Sequence, residues 1–125
     1  MTFAAGAPNV ETLSVARECD VLAAPVLREQ LQALLETGRP VVVDLSEAIF
    51  VDSACLGVFL GSFKQASRRG QPLFFLVPRE RTTTVRRVFE TTGLAHVLPL
   101  AASWQEIEQS LEQRLAAEAS AEQPR

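Results

Sequence analysis

Cysteine is scarce in this sequence. The chain of 125 residues contains two cysteines, Cys19 and Cys55, too few for the disulfide framework of a small secreted protein. Neither has a second Cys or a His beside it at the spacing of a structural zinc site. A domain of this size removes roughly two thirds of its unfolded surface from water, so it needs neither device to be stable. We therefore expect one self-sufficient domain without a metal ion or a cofactor.

Long apolar runs are also absent. Apolar stretches such as residues 72–78 are far shorter than the ~20 residues that a membrane helix needs. The first eight residues have neither the basic region nor the sustained apolar region of a secretory signal. The sequence therefore predicts a cytoplasmic protein without membrane insertion.

An excess of positive charge is missing as well. Twelve Lys and Arg stand against fifteen Asp and Glu, which gives a net charge of -3, and this balance does not favour binding to a phosphate polymer. We expect no nucleic-acid partner. Six arginines between residues 68 and 87 fit a solvated helix face, and they leave open a local patch for an acidic partner or for nucleic acid. They are Arg68, Arg69, Arg79, Arg81, Arg86 and Arg87.

Recognisable catalytic groupings are lacking. The single histidine, His96, has no Ser or Cys motif that points to it. No phosphate-binding glycine loop occurs; Gly57 and Gly61 lie four residues apart on a predicted helix, where they permit close packing. We therefore predict that the protein is not an enzyme.

What the sequence does contain is an alternation of strand and helix patterns. Apolar residues at a period of two, or in short continuous runs, predict strands at residues 10–17, 41–45, 73–77 and 97–100. Spacings of three and four predict helices from Pro25 to before Gly38, from Ser53 to near Gly70, from the Thr82 region to Gly93, and from a Ser103–Glu106 capping box to about Ala116. This order predicts a single α/β sheet covered by helices.

The Asp52-Ser53 pair is the most informative candidate site. The two residues lie where a strand and loop turn into a helix, so Ser53 is the predicted N-cap at the positive end of the helix dipole. One interpretation is a plain helix cap with an acidic neighbour. The other is an exposed hydroxyl at a position where the helix would tolerate an added phosphate.

Three motifs together resemble a known family. Residues 52–64 read Asp-Ser-x-x-Leu-Gly-Val-Phe-Leu-Gly-x-Phe-Lys, residues 20–31 contain Asp-Val followed by Ala-Pro-Val-Leu-Arg-Glu-Gln-Leu, and residues 89–94 read Phe-Glu-Thr-Thr-Gly-Leu. In this order they are similar to the motifs of STAS-domain anti-sigma factor antagonists of the general-stress type. The resemblance implies a STAS domain over residues 10–116, with a mixed sheet of four to five strands and about four helices. Residues 1–9 would be a flexible N-terminus and residues 117–125 a frayed tail.

The resemblance also implies a function without catalysis. Antagonists of this family bind an ATP-dependent anti-sigma serine kinase and thereby release a sigma factor. The kinase phosphorylates one Ser and ends the interaction, and a metal-dependent serine phosphatase restores it. Ser53 falls on the phosphorylated Ser, Asp52 on the acidic residue before it, and Asp20 on an acidic residue of the loop before the first helix. The expected partner-binding residues are Asp20, Asp52, Ser53, Ala54, Cys55, Leu56, Gly57 and Gly61.

A second function remains open at this point. A STAS domain also fits a scaffold or accessory subunit, in a stress-sensing complex or a lipid transporter, that needs no modified Ser. The sequence departs from the family pattern at two positions, with Arg17 and Cys55 where Gly is usual.

Both cysteines fall beside the loops that the resemblance makes functional. Cys19 precedes Asp20, and Cys55 follows Ser53 by two residues. They fit two buried small hydrophobic residues. The alternative hypothesis is a reversible disulfide that controls partner access, since cytosolic disulfides are usually regulatory.

Overall fold

The structure is a computed structural model that describes residues 9–79 and 83–122. Strands and helices alternate along most of the described chain, as predicted. The strands are β1 (Glu11–Ser14), β2 (Glu18–Cys19), β3 (Val41–Asp44), β4 (Phe50–Val51), β5 (Leu73–Leu76) and β6 (Leu100–Ala101). The helices are α1 (Ala24–Leu35), α2 (Ser53–Arg68), α3 (Thr83–Thr91) and α4 (Trp104–Glu122), and a 3₁₀ turn spans Leu94–His96.

The strands form two parallel sheets. Four strands lie in the order β1-β3-β5-β6, and β2 pairs separately with β4. The predicted α/β fold with four helices is confirmed. The predicted mixed sheet is corrected, because every strand pair among the described residues is parallel. A helix lies between successive strands of the larger sheet and returns the chain to the same end each time, which makes the next strand parallel.

Helices cover both faces of the larger sheet. Val41, Val42 and Val43 of β3 are completely buried, as expected for a central strand with apolar residues on both sides. Val41 and Val43 belong to the main core under α1, α2 and α3, whereas Val42 packs in a smaller core with residues of α4. The face that carries α1 and α2 is therefore separated from α4 by the sheet.

Glycines end the first and third helices as predicted. Gly38 follows α1 with a φ of 75°, and Gly93 follows α3 with a φ of 79°. Residues with a side chain rarely adopt this left-handed backbone, so glycine at these positions lets the chain turn away from the helix.

The last strand differs from the prediction. β6 begins at Leu100 instead of Val97. The N–H groups of Val97 and Leu98 both donate to the carbonyl of Leu94, at 3.0 and 2.8 Å, so this segment closes a turn before the strand begins. The strands β2 and β4 were not predicted, because two residues are too few to show a period.

Helix α4 begins at a serine cap and runs beyond its predicted end. The Ser103 hydroxyl accepts a hydrogen bond from the Glu106 N–H at 3.3 Å, and the Glu106 carboxylate accepts one from the N–H of Ala102 at 3.3 Å. The helix continues to Glu122, past the predicted loss of order after Ala116. Its last turns are rich in Ala and Glu, which favour helix without packing.

The predicted flexible N-terminus falls, except for residue 9, outside the described residues, and so do residues 123–125 of the predicted tail. The domain boundaries remain a prediction. None of the described helices combines the length and the apolar character that crossing a membrane requires.

Phe59 joins three elements of the main core. It is completely buried on α2, and its ring centroid lies 5.3 Å from that of Phe75 and 6.4 Å from that of Phe89. We expect Phe59→Ala to lower the free energy of unfolding by about 3–5 kcal/mol, because it leaves a cavity and removes both ring contacts.

Urea unfolding followed by circular dichroism measures this change. The matched control is Phe50→Ala, since Phe50 is 48% exposed and its removal should change stability by about 0.5 kcal/mol or less. Equal losses for the two variants would contradict the role given to Phe59.

Candidate functional site

The short sheet of β2 and β4 brings the two acidic loops together. Cys19 pairs with Val51 in this parallel sheet, and the N–H of Asp52 donates to the carbonyl of Cys19 at 3.0 Å. Asp20 and Asp52 therefore follow the ends of neighbouring strands. The structure places the loop before α1 beside the start of α2, which brings together the two segments that the sequence singled out.

Asp20 shapes the loop before α1. Its carboxylate oxygen accepts hydrogen bonds from the N–H groups of Leu22 at 3.1 Å and Ala23 at 3.2 Å. The carbonyl of Asp20 also accepts from the N–H of Ala23 at 3.0 Å. Aspartate favours such a turn because its short side chain reaches the backbone two residues further on. The loop is thereby fixed by its own acidic residue, which remains exposed.

Asp52, and not Ser53, is the N-cap of α2. Its backbone is extended, with φ of -91° and ψ of 177°, and its side chain accepts from the N–H of Cys55 at 3.2 Å. The prediction that Ser53 caps the helix is therefore wrong by one residue. The extended backbone at Asp52 makes Ser53 the first helical residue, so the hydrogen bond of the cap position belongs to Asp52.

This correction leaves the Ser53 hydroxyl free. Ser53 is exposed, and within the described part of the chain its hydroxyl has no hydrogen-bond partner. Gly57 and Gly61 are also exposed, and a Cβ added at either would meet nothing within 4 Å. The predicted close packing at these glycines is wrong, because they face outward. Together with Ser53 they form one open strip along α2, at helical spacing.

The remaining predicted contact residues of this segment point the other way. Cys55 and Leu56 are buried, with exposed fractions of 0% and 6%, and Ala54 is half-buried. Cys55 and Leu56 belong to the main core. Their prediction as partner-contact residues is corrected, since the first turn of α2 directs them under the helix.

The two thiols lie in contact beneath the site. The Sγ atoms of Cys19 and Cys55 are 2.7 Å apart, both cysteines are free, and the Cys55 thiol also lies 3.3 Å from the carbonyl oxygen of Asp20. Burial raises the pKa of both thiols above the ordinary value of 9.0, and at Cys55 the hydrogen bond to Cys19 raises it further. The thiols are therefore protonated at neutral pH.

Large apolar side chains are exposed around the acidic loops. Val21 and Leu22 follow Asp20 and are 61% and 83% exposed, and Ile49 and Phe50 precede Asp52 and are 45% and 48% exposed. They are not among the partner-binding residues predicted from the sequence. Their only signal was an apolar pair within each loop, where polar residues are usual.

Two of the clustered arginines bind the main chain. Arg69 donates to the carbonyl of Leu35 at 3.4 Å, and Arg86 donates to the carbonyl of Val77. Arg81 lies outside the described residues. Across residues 9–79 and 83–122, no three His, Cys, Asp or Glu side chains form a group that could hold a metal ion.

The fold and the paired acidic loops define the class of protein. Residues 3–101 match the family described as "Mlab, STAS domain". Solved structures of similar fold include an anti-sigma factor antagonist from Mycobacterium paratuberculosis, with a TM-score of 0.73 and 23% identity over 85% of this chain and 88% of that one. The phosphorylated form of the Bacillus cell fate determinant SpoIIAA gives a TM-score of 0.61 and 20% identity, over 83% of this chain and 93% of that one. The protein is a STAS domain.

Curated relatives define the group within this class. The anti-sigma-B factor antagonist of Bacillus subtilis (strain 168) is 38% identical over 90 residues, which are 72% of this chain and 80% of the relative. The protein of the same name from Listeria monocytogenes is 34% identical over 87 residues, covering 69% of this chain and 74% of the relative. The chain belongs to the STAS-domain family of anti-sigma factor antagonists.

The buried thiols give stability a dependence on alkaline pH. Because their folded pKa values lie above 9.0, the unfolded chain releases their protons first. The folded state then binds more protons than the unfolded state, so the free energy of unfolding falls as pH rises above about 9, by up to ~1.4 kcal/mol per pH unit for each thiol. Below that pH the contribution is fully present.

Urea unfolding at a series of pH values measures this slope. The control is the double variant Cys19→Ala/Cys55→Ala, in which the loss of stability above about pH 9 should be shallower. An identical slope in both proteins would show that the thiols do not titrate as described.

Proposed function

We propose that the protein is an anti-sigma factor antagonist that binds an anti-sigma serine kinase and is released when the kinase phosphorylates Ser53. The observation that carries this proposal is the free, exposed hydroxyl of Ser53 at the start of α2, set between Asp52 and the open strip of the helix. Binding of the kinase would free a sigma factor. A metal-dependent serine phosphatase would reset the switch.

The first turn of α2 can carry a phosphate on Ser53 while the domain is free of its partner. A phosphoserine carries about -1.5 to -2 charges and strong acceptor oxygens. At the first helical position these oxygens lie near the N–H groups that begin a helix and near the positive end of its dipole. Phosphorylation of Ser53 would therefore leave the domain folded.

The same phosphate disfavours a packed contact. Asp52 directly precedes Ser53, and Asp20 lies on the neighbouring loop, so the added charge would join two carboxylates. Burying this group against a partner would require removing water from a concentrated negative charge. Release follows from this cost without any change in the shape of the domain.

An exposed apolar surface supports docking before phosphorylation. We call Val21, Leu22, Ile49, Phe50 and the open strip of Ser53, Gly57 and Gly61 the switch face. Exposed apolar residues gathered near one site are typical of protein interfaces. The glycines let a partner approach the backbone of α2 closely, since no side chain stands above them.

This function requires no catalysis by the chain itself. The proposed phosphate donor is ATP bound to the kinase, and we place the protein in the cytoplasm with its sigma factor. A nucleic-acid partner is not part of the proposal, because the net charge is -3.

An accessory STAS subunit is the second candidate. The matched family is described by the name Mlab, which is not the name of an anti-sigma factor antagonist. Such a subunit, in a stress-sensing complex or a lipid transporter, would use the switch face without modification of Ser53. Phosphorylation of Ser53 therefore distinguishes the two functions.

The first test concerns Ser53 itself. With ATP and the anti-sigma serine kinase of the same organism, the wild-type chain should take up one phosphate, mapped to Ser53 by peptide mass spectrometry. Ser53→Ala should take up none and bind the kinase as tightly as the unmodified wild type. Ser53→Asp should bind about tenfold more weakly or worse, a loss of ~1.4 kcal/mol or more.

Calorimetric titration measures these affinities. If the kinase binds the wild-type chain in the presence of ATP but transfers no phosphate to Ser53, the proposed switch is contradicted. Equal affinities for Ser53→Asp and wild type would contradict it as well. A kinase that does not bind the wild-type chain would favour the accessory subunit.

The second test concerns the apolar part of the switch face. Leu22 is 83% exposed, so Leu22→Ser should leave stability within about 0.5 kcal/mol of wild type. Kinase binding should nevertheless weaken by about tenfold, because an exposed leucine in a docking surface gains affinity through burial.

Leu115 offers a matched control. It is a leucine on α4 that is 58% exposed, and α4 packs on the opposite face of the sheet from α2. Leu115→Ser should bind the kinase as wild type does. Equal losses for the two variants, or no loss for Leu22→Ser, would exclude Leu22 from the docking surface.

A further inference from the structure

The contact between Cys19 and Cys55 points to chemistry that the proposed function does not use. We propose that the two thiols are a redox-modifiable pair that closes an intramolecular disulfide between the end of β2 and the first turn of α2. The proposal needs no kinase and goes beyond the switch at Ser53.

The backbone already holds the two sulfurs in reach of each other. A disulfide requires an S–S bond of about 2.05 Å, and the free Sγ atoms lie 2.7 Å apart. Three contacts hold the two Sγ atoms close together. Cys19 pairs with Val51 in the short sheet, and the N–H of Asp52 donates a hydrogen bond to the carbonyl of Cys19. The carboxylate of Asp52 accepts a hydrogen bond from the N–H of Cys55. Bond formation therefore requires only a small movement of two side chains.

A low-molecular-weight disulfide is the oxidant that we assign. One cysteine, as thiolate, attacks a sulfur of this disulfide, which forms a mixed disulfide and releases one small thiol. The second cysteine attacks the protein sulfur of the mixed disulfide and releases the second small thiol. The two protons of the cysteines pass to the two released thiolates. The protein pair loses two electrons, and the small disulfide gains them.

Burial controls how fast this exchange occurs. Cys19 and Cys55 are 3% and 0% exposed, so an oxidant reaches them only when the loop before α1 opens briefly. Burial also raises the pKa of both thiols, and the attacking species is the thiolate. Oxidation should therefore be slow at neutral pH and faster at alkaline pH.

The disulfide would stabilise the folded state by linking the end of β2 to the first turn of α2. It would join residues 36 positions apart in the chain, and closing a loop of this length restricts the unfolded state substantially. We expect the oxidised protein to melt on the order of 10 °C higher than the reduced protein. Amide hydrogen exchange in residues 20–23 and 53–56 should slow, because these segments are tied together.

The experiment oxidises the folded wild-type chain with oxidised glutathione at mildly alkaline pH. Intact mass should fall by ~2 Da, which is the loss of two thiol hydrogens, and dithiothreitol should reverse it. Trypsin without reduction should give residues 18–28 linked to residues 29–64, since Arg39 precedes Pro40 and resists cleavage. The melting temperature of the same sample is measured with and without dithiothreitol.

The single variants Cys19→Ala and Cys55→Ala are the matched controls. Each retains one thiol, so each should form at most a mixed disulfide with glutathione and show no comparable rise in melting temperature. Circular dichroism establishes that the variants fold, and the wild-type result stands without them if one does not.

Three outcomes would overturn the proposal. The folded wild type could keep both thiols free, it could form only mixed or intermolecular disulfides, or the link could form without raising the melting temperature. None of these results bears on the phosphorylation of Ser53, because no kinase is present. Likewise, a negative result in the kinase experiment would not contradict the proposed disulfide.

Discussion

The hydrogen bond from the Cys55 N–H to the Asp52 carboxylate sets the start of α2, and the rest of the site depends on where that helix starts. With Asp52 as the cap, Ser53 becomes the first helical residue and faces water. One turn further, Gly57 lies on the same side, and Gly61 extends the strip. Cys55 turns inward against Cys19. A start one residue later would make Ser53 the cap and direct its hydroxyl to the free N–H groups of the first turn.

The helix presents this face because its other face is firmly held. Phe59 packs against Phe75 of β5 and Phe89 of α3, whereas Gly57 and Gly61 of the same helix are exposed. The acidic loops rest in turn on the short pair of β2 and β4. A surface on a packed core can bind and release a partner through a change of charge alone, because the core does not have to rearrange.

The larger elements of the fold followed from periodicity, whereas the details of the site did not. Val41 to Val43 could be recognised as a central strand from composition, and Gly38 and Gly93 as helix ends from their chemistry. The strands β2 and β4 have two residues each and show no period. Ser and Asp are comparable N-caps, so the sequence could not decide between Asp52 and Ser53. The exposure of Leu22 depends on which tertiary contacts are missing, and no local pattern encodes it.

The placement of Cys55 also explains how the chain can depart from the family pattern without losing the switch face. Glycine is usual at the position of Cys55 in this family. A side chain there would alter docking of the partner if it pointed outward. Cys55 is completely buried and fills space between α2 and β2. The substitution therefore changes the interior beneath the switch face and leaves its outer surface to Ser53 and the glycines. Any effect of Cys55 on partner binding must then pass through the rigidity of the first turn of α2, which is the property that a bond to Cys19 would change.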